Sequence, residues 1–225
     1  MASAEVLVDV VLPCLDEAEA LPRLFARMPE WARPILADNG SADGSIDLAR
    51  QRGIEVVEVP QRGYGAACHA GLLAATAPLV AFMDADASLD PLSLEVLLAE
   101  HRRLLPERRS HLVVGARRPM SREAWPWRLR VANRVLAHRV RRATGVGLED
   151  IGPLRLAPTK RLQDLPIGDR RSGYPVETVV RAAEAGWTIT GVPVPYLART
   201  GRSKVTGTWL GAARAVQDMS RVLAS

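Results

Sequence analysis

Four short apolar runs, at residues 6–12, 34–37, 54–59 and 78–83, each give way to turn chemistry or a polar loop, and then to a stretch with helical spacing. The helical stretches are expected over 18–28, 45–52, up to about Thr76, and 91–105. Gly53 closes the second, and Asp43-Gly44 and Asp90-Pro91 supply N-terminal caps for the second and fourth. A strand-helix unit repeated in this way predicts a mostly parallel sheet with helices on both faces. Sheets of this kind bind ligands beyond the carboxyl ends of their strands. The polar clusters fall at those ends: Asp16 and Glu17 after the first strand, Asp38 after the second, Arg62 after the third, Asp84 and Asp86 after the fourth.

The rhythm changes after about residue 110. A strand at 111–116 leads to a basic helix at 125–144, then an irregular stretch over 145–175. A helix at 176–185, a strand at 188–194 and a helix from about Thr208 close the chain. Neither a repeat nor a linker separates the halves, so residues 1–225 are expected to form one domain, with 111–225 completing 1–110.

Composition narrows the class. With 225 residues, 48% hydrophobic and 24% charged, the chain has length enough for a buried core without staples. Cys14 and Cys68 stand apart, with no zinc-like or redox spacing, and read as packed thiols. No run reaches the roughly 18–20 apolar residues a membrane span needs, and residues 1–11 do not resemble a secretory signal; a cytoplasmic protein is expected. A formal charge of +5 and a pI near 9.8 point to an anionic partner.

Asp84 and Asp86 flank a single alanine just past a buried strand, and an extended D-x-D aims two carboxylates at one hard cation. Magnesium and manganese favour such ligands, shared with substrate phosphates. A divalent cation there would neutralise a leaving diphosphate, with arginines completing the charge. Asp90, by contrast, reads as a helix cap. Asp38 can form an Asx turn with Gly40. His69, among alanines and glycines, reads as structural.

The ordered segments V-V-L-P-C-L-D-E-A-E-A-L, I-L-A-D-N-G-S-A-D-G-S, R-G-Y-G-A-A-C-H-A-G and F-M-D-A-D resemble the family-2 glycosyltransferases, whose fold is the GT-A Rossmann-like sandwich. The later segments E-D-I-G-P-L-R, G-Y-P-V-E-T, A-G-W-T-I-T-G-V-P-V-P-Y and R-T-G-R-S-K are similar to the dolichyl-phosphate mannose or glucose synthase branch. The resemblance implies transfer of a hexose from GDP-mannose or UDP-glucose to a polyprenyl or dolichyl phosphate, with inversion and with Mg2+ or Mn2+. It implies that Pro13, Leu15 and Glu17 line the nucleoside pocket, that Asp38 reaches the base or ribose, and that Asp84, Ala85 and Asp86 meet the metal and diphosphate. Leu15 stands where the family often has tyrosine, and Ser88 where this branch often has glutamine. Arg117 matches the family's G-S-R arginine, with a catalytic or acceptor-binding role; Arg199, Ser203 and Lys204 match its phosphate-binding R-x-G-x-S-K segment, Asp150 the acceptor loop and Glu177 the acidic position of the next helix. Glu17 also has a plainer reading, a helix-start charge favoured by the dipole.

Acceptor chemistry decides whether a base is needed. A hydroxyl acceptor calls for one, with Asp150 or Glu177 as candidates. A lipid phosphate is already ionised near neutral pH, so Arg117, Arg130, Arg134 or Lys204 would matter more. Trp125, Leu129, Ala132, Leu136, Val140 and Ala143 recur at helical spacing among arginines; this suits either a peripheral contact with the inner face of an anionic membrane or a core-facing helix with a solvated basic side. A dinucleotide-binding oxidoreductase fits poorly, because Gly63-Tyr64-Gly65 follows the third strand and Cys68 breaks the pattern. A non-catalytic nucleic-acid binder would leave the acidic strand ends unexplained, and no nucleic-acid partner is expected.

Overall fold

The computed structural model describes residues 5–105 and 110–201, together with Met219 and Val222. Its core is a seven-stranded sheet made of β1 (Val8–Cys14), β2 (Ala32–Asp38), β3 (Glu55–Glu58), β4 (Leu79–Phe82), β5 (His111–Pro119), β6 (Arg155–Pro158) and β7 (Thr188–Tyr196), in the spatial order β3-β2-β1-β4-β6-β5-β7. β1 pairs in parallel with β2 and β4, and β2 with β3. β6 runs antiparallel between β4 and β5, while β7 pairs in parallel with β5. A single sheet therefore runs through both halves of the chain.

Alternation along the strands sends side chains to two cores. Val8, Val10 and Leu12 of β1 and Leu79 and Ala81 of β4 join Leu21 and Leu24 of α1 (Leu21–Ala26), Ala49 of α2 (Ser45–Gln51) and Leu94 and Leu97 of α4 (Leu94–Leu104). Val11, Ile35, Val80 and Phe82 face the opposite side. There they meet Ala67 and Leu72 of α3 (Tyr64–Ala74), Leu162 of α6 (Thr159–Gln163), Val176 and Val179 of α7 (Tyr174–Glu184), and Ala137 and Val140 of α5 (Trp127–Thr144). Covering both faces explains why the central strands read as continuous apolar runs.

The GT-A-type arrangement matches expectation in its strand-helix order, and the differences have local causes. Asp90 does cap: its side chain accepts from Leu92 N at 3.1 Å, and a 3-10 turn at Pro91–Ser93 precedes α4. α1 is shorter than expected because the chain from Glu17 to Ala20 turns first, with Ala20 N and Leu21 N both donating to Glu17 O. α5 begins after Pro126 rather than at Trp125. The stretch 145–175 is not all irregular, since it contains β6 and α6. The expected apolar face of α5 is only partly covered: Val140 is buried and Leu136 half-buried, while Leu129, Ala132 and Ala143 are exposed, and the helix's other buried residue is Ala137, which lies outside the expected set. The helix expected from Thr208 lies outside the described residues, apart from Met219 and Val222, which pack against the second core.

Candidate active site

The loops leaving β1 and β2 are held together by their own polar groups. Asn39 N donates to Cys14 O at 2.8 Å, and Asp16 N to Ser41 Oγ at 2.8 Å. Asp16 takes a positive φ of 53°, which a short polar side chain tolerates, and its Oδ1 accepts from Ala42 N at 2.7 Å. Asp38 bears out its Asx-turn reading. Its Oδ1 closes an Asx turn on Gly40 N (2.8 Å) and Ser41 N (2.9 Å), while its Oδ2 is buried without a partner among the described residues. A buried carboxylate oxygen costs free energy unless something donates to it, so Oδ2 is a ready acceptor for a ligand hydroxyl or N–H. Pro13, Leu15 and Glu17 are half-buried at the end of β1, beside this turn.

Asn39 ties in the third loop, donating to Val59 O at 3.2 Å and Gln61 O at 2.7 Å and accepting from Gly63 N at 2.7 Å. Arg62, exposed, lies over Gly40 and donates to Asn39 O at 2.5 Å. The glycines of R-G-Y-G serve close packing rather than phosphate binding. A Cβ on Gly63 would stand 2.1 Å from Arg170 O, and Gly65 N and Ala66 N donate to Arg171 O and Arg170 O, both at 2.9 Å. This contact brings the segment before α7 onto the start of α3, and it leaves Tyr64 with its hydroxyl 3.2 Å from Asp84 Oδ1.

Past β4 the two aspartates differ. Asp84 accepts from Tyr64; burial, and then the neighbouring Asp86 charge, push its carboxyl up to about 6, against the opposing pull of Arg117 and Arg199. Asp86 is buried, with Oδ1 accepting from Ser88 N at 2.9 Å and Oδ2 3.4 Å from Arg199 Nη2. The same guanidinium reaches Glu17 Oε1 at 3.2 Å. Arg199 therefore bridges the Glu17 and Asp86 carboxylates across a separation of more than a hundred residues in sequence. Glu17 pairs with this arginine rather than standing at a helix start. Thr200 N donates to Asp86 O and Leu197 N to Ser88 O, fixing the segment that carries Arg199. Ala87 takes a φ of 56°, and Ser88 Oγ is buried near the Tyr196 phenol without a hydrogen bond of ordinary geometry.

Arg117, near the end of β5, is clamped by Asp150. Its backbone N and Nε donate to Asp150 Oδ2 at 2.8 and 2.9 Å, and its Nη2 to Oδ1 at 2.8 Å. The guanidinium sits 4.0 Å from the Trp125 ring centroid and 5.3 Å from that of Tyr196. Both Asp150 oxygens are thus occupied. Glu177 is likewise committed: Oε2 accepts from Gly168 N (3.0 Å) and Asp169 N (2.5 Å), anchoring the segment that leads to Arg170 and Arg171. Ser203 and Lys204 lie outside the described residues. Burial pushes the Cys14 thiol up to about 11, so it is no nucleophile near neutral pH.

The structure joins Glu17, Asp86 and Arg199 by direct contact, with Asp84 next to Asp86, and it keeps Asp150 and Glu177 in separate hydrogen-bond networks. Sequence reasoning missed Tyr64, Asn39, Trp125 and Tyr196. It also missed Arg155, a buried guanidinium that donates to Gly152 O at 2.8 Å and Pro175 O at 2.6 Å. Tyr64 had a signal, its place inside R-G-Y-G, and so did Asn39, next to Asp38 in A-D-N-G-S; the others meet the site only through tertiary packing.

Comparison with known proteins agrees with this geometry. The family model described as Glycosyl transferase family 2 matches residues 9–152. An uncharacterised glycosyltransferase of Mycobacterium tuberculosis is 44% identical over 217 residues, spanning 96% of this chain and 97% of the relative. A dolichyl-phosphate hexose transferase of Haloferax volcanii is 28% identical over 200 residues, spanning 87% of this chain and 85% of the relative. Among solved structures, glucosyl-3-phosphoglycerate synthase of M. tuberculosis in complex with Mn2+, UDP and phosphoglyceric acid superposes with a TM-score of 0.75 at 22% identity, covering 96% of this chain and 77% of that one. The chain therefore belongs to glycosyl transferase family 2 and is an enzyme of the glycosyltransferase class built on the GT-A architecture.

Proposed function

We propose that this enzyme moves a hexose from GDP-mannose or UDP-glucose to a polyprenyl or dolichyl phosphate, with inversion at the anomeric carbon. The observation that carries the donor half is the meeting of Asp86, Glu17 and Arg199 beyond β1 and β4, with Asp84 next to Asp86 in the chain and an unpartnered Asp38 Oδ2 at the end of β2. Pro13, Leu15 and Glu17 would line the nucleoside pocket, with Asp38 accepting from the base or ribose and Arg62 at its rim. Ala85 would place its backbone by the diphosphate, where Arg199, Ser203 and Lys204 would supply positive charge. Asp84 and Asp86 are hard oxygen donors at the right strand end and fit Mg2+ or Mn2+. When bound, such an ion offsets the charge that develops on the departing diphosphate. Arg199 already occupies Asp86 Oδ2, so donor binding requires it to shift toward the phosphates.

The acceptor half rests on what the carboxylates are doing. Asp150 and Glu177 are spent on Arg117 and on the 168–169 backbone, which suits an acceptor that arrives ionised. An acceptor phosphate oxygen bonds to the anomeric carbon as the carbon–oxygen bond to the nucleoside diphosphate breaks, and the electron pair leaves with the diphosphate. Arg117 would face the incoming phosphate. The hexose transferase of Haloferax supports this reading through its dolichyl-phosphate acceptor. A soluble acceptor is the second reading, favoured by the phosphoglyceric acid bound to the M. tuberculosis synthase. No helix among the described residues is long and apolar enough to cross a membrane. Contact with an anionic inner membrane face would then be peripheral, through the exposed Trp127, Val131 and Val135 of α5 and the arginines between them.

Thermal unfolding tests the donor half. UDP or GDP with Mn2+ is expected to raise the melting temperature, and Asp86→Ala to abolish the rise. Tight RNA binding without any nucleotide response would contradict it.

A further inference from the structure

We infer that Tyr64 sets the choice of metal: by holding Oδ1 of Asp84 it leaves that carboxylate one oxygen to offer, which favours Mg2+ or Mn2+ over Ca2+. The inference rests on the proposed role of Asp84 and Asp86 as metal ligands, and adds to it a positioning residue that acts through Asp84. The Tyr64 hydroxyl donates to Asp84 Oδ1 at 3.2 Å. Asp86 is matched in the same way, its Oδ1 accepting from Ser88 N at 2.9 Å. Among the described residues Asp84 Oδ2 meets no donor, and Asp86 Oδ2 meets Arg199 alone, at 3.4 Å. Each aspartate therefore has one oxygen committed and one to give.

The demands of the cations turn this into selectivity. Ca2+ gathers more oxygens in a flexible shell and takes a carboxylate through one oxygen or both. Mg2+ requires near-ideal octahedral angles, which the narrow bite of a carboxylate offering both oxygens does not meet, and Mn2+ also favours an octahedral oxygen set. Two single oxygens leave the remaining places to phosphate oxygens and water, as the smaller ions prefer. Tyr64 is built to impose the limit. It is the first residue of α3, and its backbone is fixed on both sides, by Gly63 N donating to Asn39 Oδ1 at 2.7 Å and Gly65 N to Arg171 O at 2.9 Å. The ring packs against the second core, and Cys68, one helical turn on, lies against the phenol. A hydroxyl placed by so many contacts does not follow Asp84, so a carboxylate that turned to offer both oxygens would forfeit the hydrogen bond. Asp86 is held by a backbone N–H in the turn where Ala87 takes its φ of 56°, and that donor is equally fixed.

The test compares the full chain with Tyr64→Phe, which removes the hydroxyl and keeps the ring in the core, with urea unfolding as the control on the fold. Affinities are measured at one fixed concentration of UDP or GDP. Mn2+ is followed by the loss of its free-ion electron paramagnetic resonance signal beyond what the nucleotide alone takes up, and Ca2+ by its competition with Mn2+. The expected result is a Mn2+ affinity lowered roughly tenfold, the scale on which partners of metal ligands act. Ca2+ affinity holds or rises, so the preference for Mn2+ over Ca2+ falls by about the same factor. Equal loss of both ions overturns the inference, because a merely structural hydroxyl would act on both alike, and so does an unchanged affinity for either. The parent reading fails separately: a native chain that takes up no Mn2+, or an Asp86→Ala variant that keeps full Mn2+ affinity, would sink the metal assignment and this inference with it. Mn2+ binding that Asp86→Ala abolishes, with a cation preference that Tyr64→Phe leaves intact, would sink the role of Tyr64 alone.

Discussion

Replacing Asp150 separates its two candidate roles, a general base or the electrostatic anchor of Arg117. The pair is 15% and 4% exposed, with three hydrogen bonds between its members and the guanidinium stacked against Trp125. Asp150→Ala leaves a largely buried cation uncompensated. Breaking such a pair costs about 3–5 kcal/mol, against typically 0–1 kcal/mol for an exposed one. For a chain of this size that corresponds to a fall of roughly 6–20 °C in melting temperature. Asp150→Asn is the finer probe. With its oxygen in the Oδ2 place it keeps the bonds from Arg117 N and Nε, and it loses the charge and the Nη2 bond, at about 1.5–3 kcal/mol. The assay is urea unfolding of both variants, alongside initial rates with a polyprenyl phosphate acceptor from pH 6 to 9. The anchor role predicts the stability loss, a raised acceptor KM and a kcat profile that keeps its shape. A stable Asp150→Asn protein whose kcat falls by the ~10²–10⁴ typical of a lost general base would refute it.

Gly63→Ala brings a Cβ within 2.1 Å of Arg170 O at a φ of 143° and should cost about 2–4 kcal/mol, with weakened nucleotide binding as Tyr64 is displaced. Gly53→Ala, at φ 69° with open space around it, should cost only about 1 kcal/mol by urea unfolding. Burial, and then the adjacent His111, lower the His101 imidazole to about 4. The unfolded chain therefore takes up this proton near pH 6.5 and the native chain only near 4, so stability is full above 6.5 and falls as the pH drops to 4, by up to about 3 kcal/mol. His101→Leu should flatten that part of the unfolding-versus-pH curve. Asp90→Ala removes a cap and the Arg27 pair, and should cost about 1–2 kcal/mol while the response to nucleotide and Mn2+ persists.

The parallel half of the fold was legible because each strand is an apolar run bounded by turn residues, and the acidic strand ends announced the site. β6 was not: Arg155–Pro158 is four residues long, starts with a charge and ends in proline, and it becomes a strand because β4 and β5 leave edges on either side of it. The apolar spacing on α5 was visible, yet which part faces the core depends on α7 and β5, and only Ala137 and Val140 are buried. Within the site, Asp84 and Asp86 could be chosen from local sequence alone. The Glu17–Arg199–Asp86 bridge and the Trp125 and Tyr196 rings around Arg117 join residues far apart in the chain, and nothing local marks them. Asp150 and Glu177 read as candidate bases because they match the family's acidic acceptor-side positions, and sequence does not show that their oxygens are occupied.

Product analysis tests the central claim most directly. The purified enzyme is given GDP-mannose or UDP-glucose with Mn2+, and offered citronellyl phosphate, a longer polyprenyl phosphate and a panel of phosphorylated and neutral alcohols, with products identified by mass spectrometry and NMR. The account predicts a hexosyl phosphodiester of the prenyl phosphate, inverted at the anomeric carbon and absent with Asp86→Ala. Hexose attached to a carbon hydroxyl of a soluble acceptor, with no product from any prenyl phosphate, would contradict it.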